Sequence, residues 1–155
     1  NEVVQMFCSG KHGCLPDLAL LALAITQQGV RAVSIAPVLG GNQQLDNLCV
    51  IVDHNGLQID GPVEEVNDPM PLADKFRAFK WHVIELADGN DMAQIEAAFA
   101  EAREVTGAPV AIIAETVKGK GVSFMENQVG WHGKAPNDEQ FEQAMAGLAA
   151  AGEEL

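Results

Sequence analysis

The sequence predicts an α/β domain in which a parallel sheet is flanked by helices. Leu48–Val52, Trp81–Leu86 and Val110–Ala114 are short apolar runs without strict polar alternation, as expected of strands covered on both faces. Segments with helical spacing separate them, which is the βαβ rhythm of a parallel layer. The first run also stops abruptly at Asp53-His54-Asn55-Gly56, and open α/β sheets collect ligands just beyond the carboxyl ends of their strands.

In chain order, Pro16 to Gln27 reads as an apolar helix with Gly29 as its stop. Val30 to Gln44 mixes apolar residues with Pro37, Gly40 and Gly41 and shows no firm period. From Leu45 onward the pattern sharpens. Pro71 to Phe79 carries Leu72, Phe76 and Phe79 at helical spacing, and a strand follows. Asp91-Met92-Ala93-Gln94 is an Asp variant of the capping box. Met92, Ile95, Phe99 and Ala102 then form one apolar face, and Gly107 and Pro109 supply the stop. Val110–Ala114 delivers Glu115 to Gly121 into a loop. A last helix begins near Asn137, with Phe141, Met145 and Leu148 on one side, and ends in a small-residue, acidic tail.

Composition bounds the function. The 155 residues with 48% hydrophobic content suit a single domain over residues 1–155 with a real core. A formal charge of −13, from 9 basic and 22 acidic side chains, argues against nucleic acid and anionic membrane surfaces, which reward clustered Lys and Arg. Cys8, Cys14 and Cys49 make no CxxC pair, and Cys49 falls in the first apolar run, so a reduced, cytoplasmic setting is expected. Leu18 to Ile25 is too short to span a bilayer, and no basic leader precedes it, so neither a membrane span nor a targeting segment is expected.

The chemistry concentrates around Asp53 to Gly61. Gly56 permits close backbone approach, and Asn55 with the Leu57 carbonyl could offer two oxygens to one hard cation such as magnesium. The alternative is an ordinary turn capped by Asp and Asn. Lys118 and Lys120 admit two readings as well, phosphate contact or a solvated glycine-rich loop. His54 and His82 read as structural, and Asp60 to Asp68 as a solvated loop.

Asp53 to Gly61, Trp81-His82-Val83-Ile84-Glu85, Glu115 to Asn127 and Trp131-His132-Gly133-Lys134-Ala135-Pro136 occur here in one order. Together they resemble the N-terminal, diphosphate-binding part of transketolases, in the split form where this part is a separate polypeptide. The likeness covers residues 45–148 well and residues 1–44 poorly. Several motifs in register are far more specific than one. The resemblance implies a thiamine diphosphate-binding domain of the diphosphate type, with magnesium as the metal and calcium or manganese as substitutes. It implies metal ligation by the Asn55 amide oxygen and the Leu57 carbonyl. Asp53 would orient the turn, Gly56 would admit the cofactor, and Ile59 would support its bent form. His132 would lie near the diphosphate and the substrate's reacting oxygens, where imidazole moves a proton near neutral pH. Phe7 to Gly13 faintly resembles the family's Ser-Lys-Gly-His element with Gly and Lys exchanged, which places His12 beside the cofactor.

The family's Gly-Asp-Gly, whose Asp supplies the charged metal ligand, is absent, and the interval from His12 to Asn55 is much shorter than the family's. Part of the usual domain is therefore missing from this sequence. The implied reaction transfers a two-carbon ketol unit from a ketose phosphate to an aldose phosphate in the pentose phosphate pathway, with most of the chemistry supplied by the cofactor. The glutamate that activates the aminopyrimidine comes, in the family, from the pyrimidine-binding domain. A second subunit carrying the pyrimidine-binding and C-terminal domains is thus implied, in a dimer of heterodimers. Two other readings stay open: a cofactor-free, degenerate structural or regulatory subunit, and a related thiamine diphosphate-dependent synthase.

Overall fold

The computed structural model describes Val3–Cys8, Leu23–Ala24 and residues 32–152, with side chains from residue 37 onward. The expected parallel layer is present. Strands β3 (Leu48–His54), β6 (His82–Leu86) and β7 (Val110–Glu115) lie parallel in the order β3-β7-β6. Ile51 and Ile84 flank Ile112 in register. On the far side of β3, strand β1 (Val3–Cys8) and the two-residue strand β2 (Leu23–Ala24) extend the sheet antiparallel.

Two readings of the first third are corrected. Leu23 and Ala24, expected within a helix, pair with Val4 and Val3 as strand. A run apolar on every side carries no stripe to distinguish a helix from a strand, so pairing with an adjacent backbone decides it. The rest of Pro16 to Gln27 lies outside the described residues. Conversely, the stretch without a period contains helix α1 (Ala32–Asn42), with Pro37 inside it. Tertiary contact holds this helix. The Trp81 indole Nε1–H donates to the Pro37 carbonyl at 2.7 Å, and a Cβ on Gly41 would fall 1.7 Å from the Phe79 carbonyl oxygen. Only glycine lets the two backbones approach so closely.

The helices expected from Leu45 onward are observed as α3 (Leu72–Ala78), α4 (Met92–Glu104) and α5 (Asp138–Gly152). A short hairpin, β4 (Leu57–Gln58) and β5 (Gly61–Pro62), followed by the one-turn helix α2 (Val63–Val66), was not expected from the pattern. At α4, Asp91 accepts from the Ala93 N–H at 2.9 Å. Gln94 does not reach back to the Asp91 backbone as a full capping box requires; it bonds the Asp91 carboxylate and accepts from the Asp88 N–H. The reciprocal box forms at α5 instead, where Asn137 caps the Gln140 N–H and Gln140 caps the Asn137 N–H.

The two sheet faces bury different sets. Val50, Val52, Ala111 and Ile113 pack with Leu72, Phe76 and Trp81 on the α3 side. Ile84, Leu86, Val110, Ile112 and Ala114 pack with Ala98 of α4 on the other. Burying each of the larger side chains contributes about 1.5–3 kcal/mol. Cys49 sits half-buried beside the second set, and burial pushes its thiol up to about 11, so it stays protonated and inert near neutral pH. Among the described residues no helix is long and apolar enough to cross a membrane.

Candidate functional site at the carboxyl ends of the strands

Both faces of the three parallel strands pack into cores, and polar side chains gather at their carboxyl ends. There the structure forms a cavity of about 700 Å³ between the sheet and α4. Its floor is apolar, built from Ile51, Ile112, Ile95 and Phe99, and its rim is polar, built from Asp53, Asn55, Thr116, Lys118 and His132. An apolar slot with a few convergent polar groups is the usual form of a cofactor or small-molecule site.

Three sequence-predicted residues meet in this cavity. Asp53, near the end of β3, accepts a hydrogen bond from the Thr116 hydroxyl, which stands just beyond β7. Asn55 turns its side-chain oxygen onto the Leu57 N–H at 3.0 Å, and Gly56 takes a φ of 68° in that turn. This is the Asx geometry of the ordinary-turn reading, placed on a cavity wall. His132 arrives from a different element. A 3-10 turn over Val129–Trp131 ends with the His132 N–H donating to the Val129 carbonyl at 3.0 Å. Trp131 anchors this loop through its Nε1–H to the Phe124 carbonyl at 3.0 Å, with the Lys134 ammonium 4.8 Å from its ring centroid.

The other predicted residues lie elsewhere. Gly56 and Leu57 follow Asn55 without lining the cavity, and Ile59, at the hairpin tip, is 48% exposed. Leu57 faces Pro62 across the hairpin, and proline has no N–H to donate to the Leu57 carbonyl. His12 lies outside the described residues. His54, read as structural, pairs through Nδ1 with Glu115 at 2.8 Å, and His82 pairs through Nε2 with Glu101 at 2.7 Å.

Thr116, Gly89 and Asn90 line the cavity and were missed. The Thr116 signal was its place just past Glu115, in the loop that the Val110–Ala114 run delivers. For Gly89 and Asn90 it was the turn-forming Asp88-Gly89-Asn90-Asp91 after the preceding strand.

An α/β domain with its ligand cavity at the carboxyl ends of parallel strands belongs to the broad class that binds cofactors there. Residues 19–152 match the transketolase, thiamine diphosphate binding domain, family, and the chain belongs to that family. It is 38% identical over 117 residues to a 6-deoxy-6-sulfo-D-fructose transketolase subunit from Clostridium sp., an alignment that covers 76% of this chain and 42% of that one. It is 37% identical over 129 residues to an apulose-4-phosphate transketolase subunit from Phocaeicola vulgatus, covering 83% and 46%. Among solved structures, the transketolase from Campylobacter jejuni superposes with a TM-score of 0.67 at 28% identity, over 73% of this chain and 17% of that one. The chain thus spans less than half the length of these curated relatives.

The cavity fits thiamine diphosphate in kind: an apolar slot suits the rings, and a rim with an imidazole and an ammonium suits the phosphates. The metal fits less well. Among the described residues no group of three or more His, Cys, Asp or Glu side chains is placed to hold an ion. Asn55 and the Leu57 carbonyl are neutral oxygens, and a hard dication favours at least one carboxylate beside them.

Proposed function

We propose that the protein carrying this chain is the N-terminal subunit of a split transketolase, binding thiamine diphosphate with magnesium and transferring a two-carbon ketol unit between sugar phosphates. The observation that carries this reading is that Asp53 and Asn55, at the end of one strand, and His132, far along the chain, line one cavity at the strand ends. When bound, thiamine diphosphate supplies the carbanion chemistry of ketol transfer. The chain's own residues do the rest. Asp53, held by Thr116, steadies the end of β3. Asn55 and the Leu57 carbonyl offer oxygens to the metal, and Gly56 lets the backbone come close. Ile59 is an exposed apolar side chain for the cofactor to cover. His132, solvent-accessible on the rim and near the diphosphate, donates or accepts a proton at the substrate's oxygens. The family resemblance would add His12 to the residues that contact the cofactor.

The partner is a second polypeptide with the pyrimidine-binding and C-terminal domains, the assembly is a dimer of heterodimers, and the setting is the cytoplasm. The names of two relatives as transketolase subunits support a partner. Helix α5 supports it too, presenting Phe141, Met145 and Leu148 to solvent at 44–51% exposure. The absence of Gly-Asp-Gly from the sequence favours a second reading, a structural or regulatory subunit that keeps the fold without the cofactor, and the retained Asn55, Ile59 and His132 argue against it.

Titrating the full-length protein, mixed with its partner, with thiamine diphosphate and magnesium separates the two. Saturable quenching of Trp131 fluorescence that needs both ligands is expected. No quenching and no retained cofactor would leave the cofactor-free structural role standing.

A further inference from the structure

The loop between β6 and α4 reaches across to the cavity rim and ties down the turn that carries Lys118. The Asn90 N–H donates to Asp88 Oδ1 at 2.8 Å, which fixes the Asn90 backbone. Its side-chain Oδ1 then accepts from the Val117 N–H at 2.9 Å. The neighbouring Gly89 N–H donates to the Glu115 carbonyl at 2.6 Å. A Cβ on Gly89 would come within 2.7 Å of both the Ala114 Cβ and the Thr116 methyl, so the loop lies directly on the end of β7. On the other side of Lys118, its carbonyl accepts from the Asn127 N–H at 2.9 Å, and Gly119 packs against the Met125 backbone.

The backbone is therefore held immediately before Lys118 and at its own carbonyl, and Lys118 lines the cavity. Among the described residues Lys118 forms no ion pair. An ammonium on a pinned backbone loses less freedom when it meets an anion than one on a loose loop, so the pinning strengthens binding.

We propose that Asn90 is a positioning residue: its side-chain oxygen fixes the Val117–Gly119 turn and so presents Lys118 to an anionic phosphate group in the cavity. The proposal deepens the thiamine diphosphate reading and rests on it for the identity of the phosphate.

The test uses the full-length protein with its partner, in wild-type form and as Asn90→Ala, Asn90→Asp and Lys118→Met. Amide hydrogen exchange is followed at Val117, and affinity is measured for thiamine diphosphate, thiamine and inorganic pyrophosphate. Asn90→Ala should speed exchange at Val117 with protection of the β3 and β7 cores unchanged, and weaken both phosphates about tenfold while sparing thiamine. Asn90→Asp, which keeps an acceptor oxygen, should restore Val117 protection. Lys118→Met should reproduce the loss of phosphate affinity without altering Val117 exchange. Unchanged Val117 exchange in Asn90→Ala overturns the proposal, as does equal loss of thiamine and thiamine diphosphate. If the wild-type protein ignores thiamine diphosphate but binds pyrophosphate through Asn90 and Lys118, the positioning role stands and the cofactor reading falls. If it binds neither phosphate, both fall.

Discussion

Thr116 donates its hydroxyl hydrogen to Asp53, joining the ends of two adjacent parallel strands at the wall of the cavity. Their backbones are tied as well, since the Thr116 N–H donates to the His54 carbonyl at 3.1 Å. Thr116→Val keeps the shape and removes the donor, leaving the half-buried Asp53 carboxylate short of a partner. We expect a loss of about 1–3 kcal/mol in denaturant unfolding. Thr116→Ser should recover most of it; equal loss in both variants would assign the effect to the methyl group.

Asn55 and His132 should separate binding from turnover. Asn55→Ala should weaken magnesium-dependent cofactor retention by at least about tenfold while the far-UV spectrum stays native. His132→Ala should leave affinity near wild type and lower turnover by about 10²–10⁴-fold, the usual range for a lost proton-transfer group. Equilibrium dialysis and steady-state rates on the assembled enzyme check both, and similar affinity losses in the two variants would mean that the roles are wrongly divided.

Gly41 is a packing prediction. Its missing Cβ leaves room for the Phe79 carbonyl, so Gly41→Ala must push α1 away from Trp81 and strain the indole bond to Pro37. A destabilisation of about 1–3 kcal/mol is expected from overpacking, with altered Trp81 emission. Gly107→Ala offers a contrast: nothing lies within 4 Å of its added Cβ, and any cost there comes from its φ of 72° alone.

The cap of α4 gives a pH dependence. The Ala93 N–H, and then the Gln94 side chain, hold the Asp91 carboxyl below its usual value. A depressed folded-state pKa adds stability that is fully present above the unfolded value, about 3.9 for Asp, and is lost as pH falls through the lower folded value. Wild type should therefore melt above Asp91→Ala at about pH 5–7, and the gap should shrink below about pH 4. A gap independent of pH would show that the charged form of the cap is not what stabilises the helix.

The readable part of the chain was the part whose patterns are local. Val110–Ala114 is apolar throughout, and the structure buries all of it. Asp91 and Asn137 announce their helices because a cap is decided within a turn of chain. The motif residues Asp53, Asn55 and His132 were legible because the family resemblance marked them. Thr116 and Asn90 were not, since a hydroxyl or carboxamide shows its use only when its partner is known. Asn90 acts on Val117 and Thr116 on Asp53, both from distant parts of the chain. The same reason hid α1: Pro37 and two glycines argue against a helix locally, and Trp81 and Phe79, far along the chain, supply what holds it.

Sequence alone determined the α/β class, the three parallel strands, helices α3, α4 and α5 and the family, because apolar period, caps and motif order are properties of neighbouring residues. Tertiary structure decided that β1 and β2 extend the sheet antiparallel, that α1 forms, and that Asp53, Asn55, Lys118 and His132 share one cavity. Those outcomes depend on which backbones pair and which side chains meet across long separations, and burial and hydrogen bonding settle them only once the sheet has assembled.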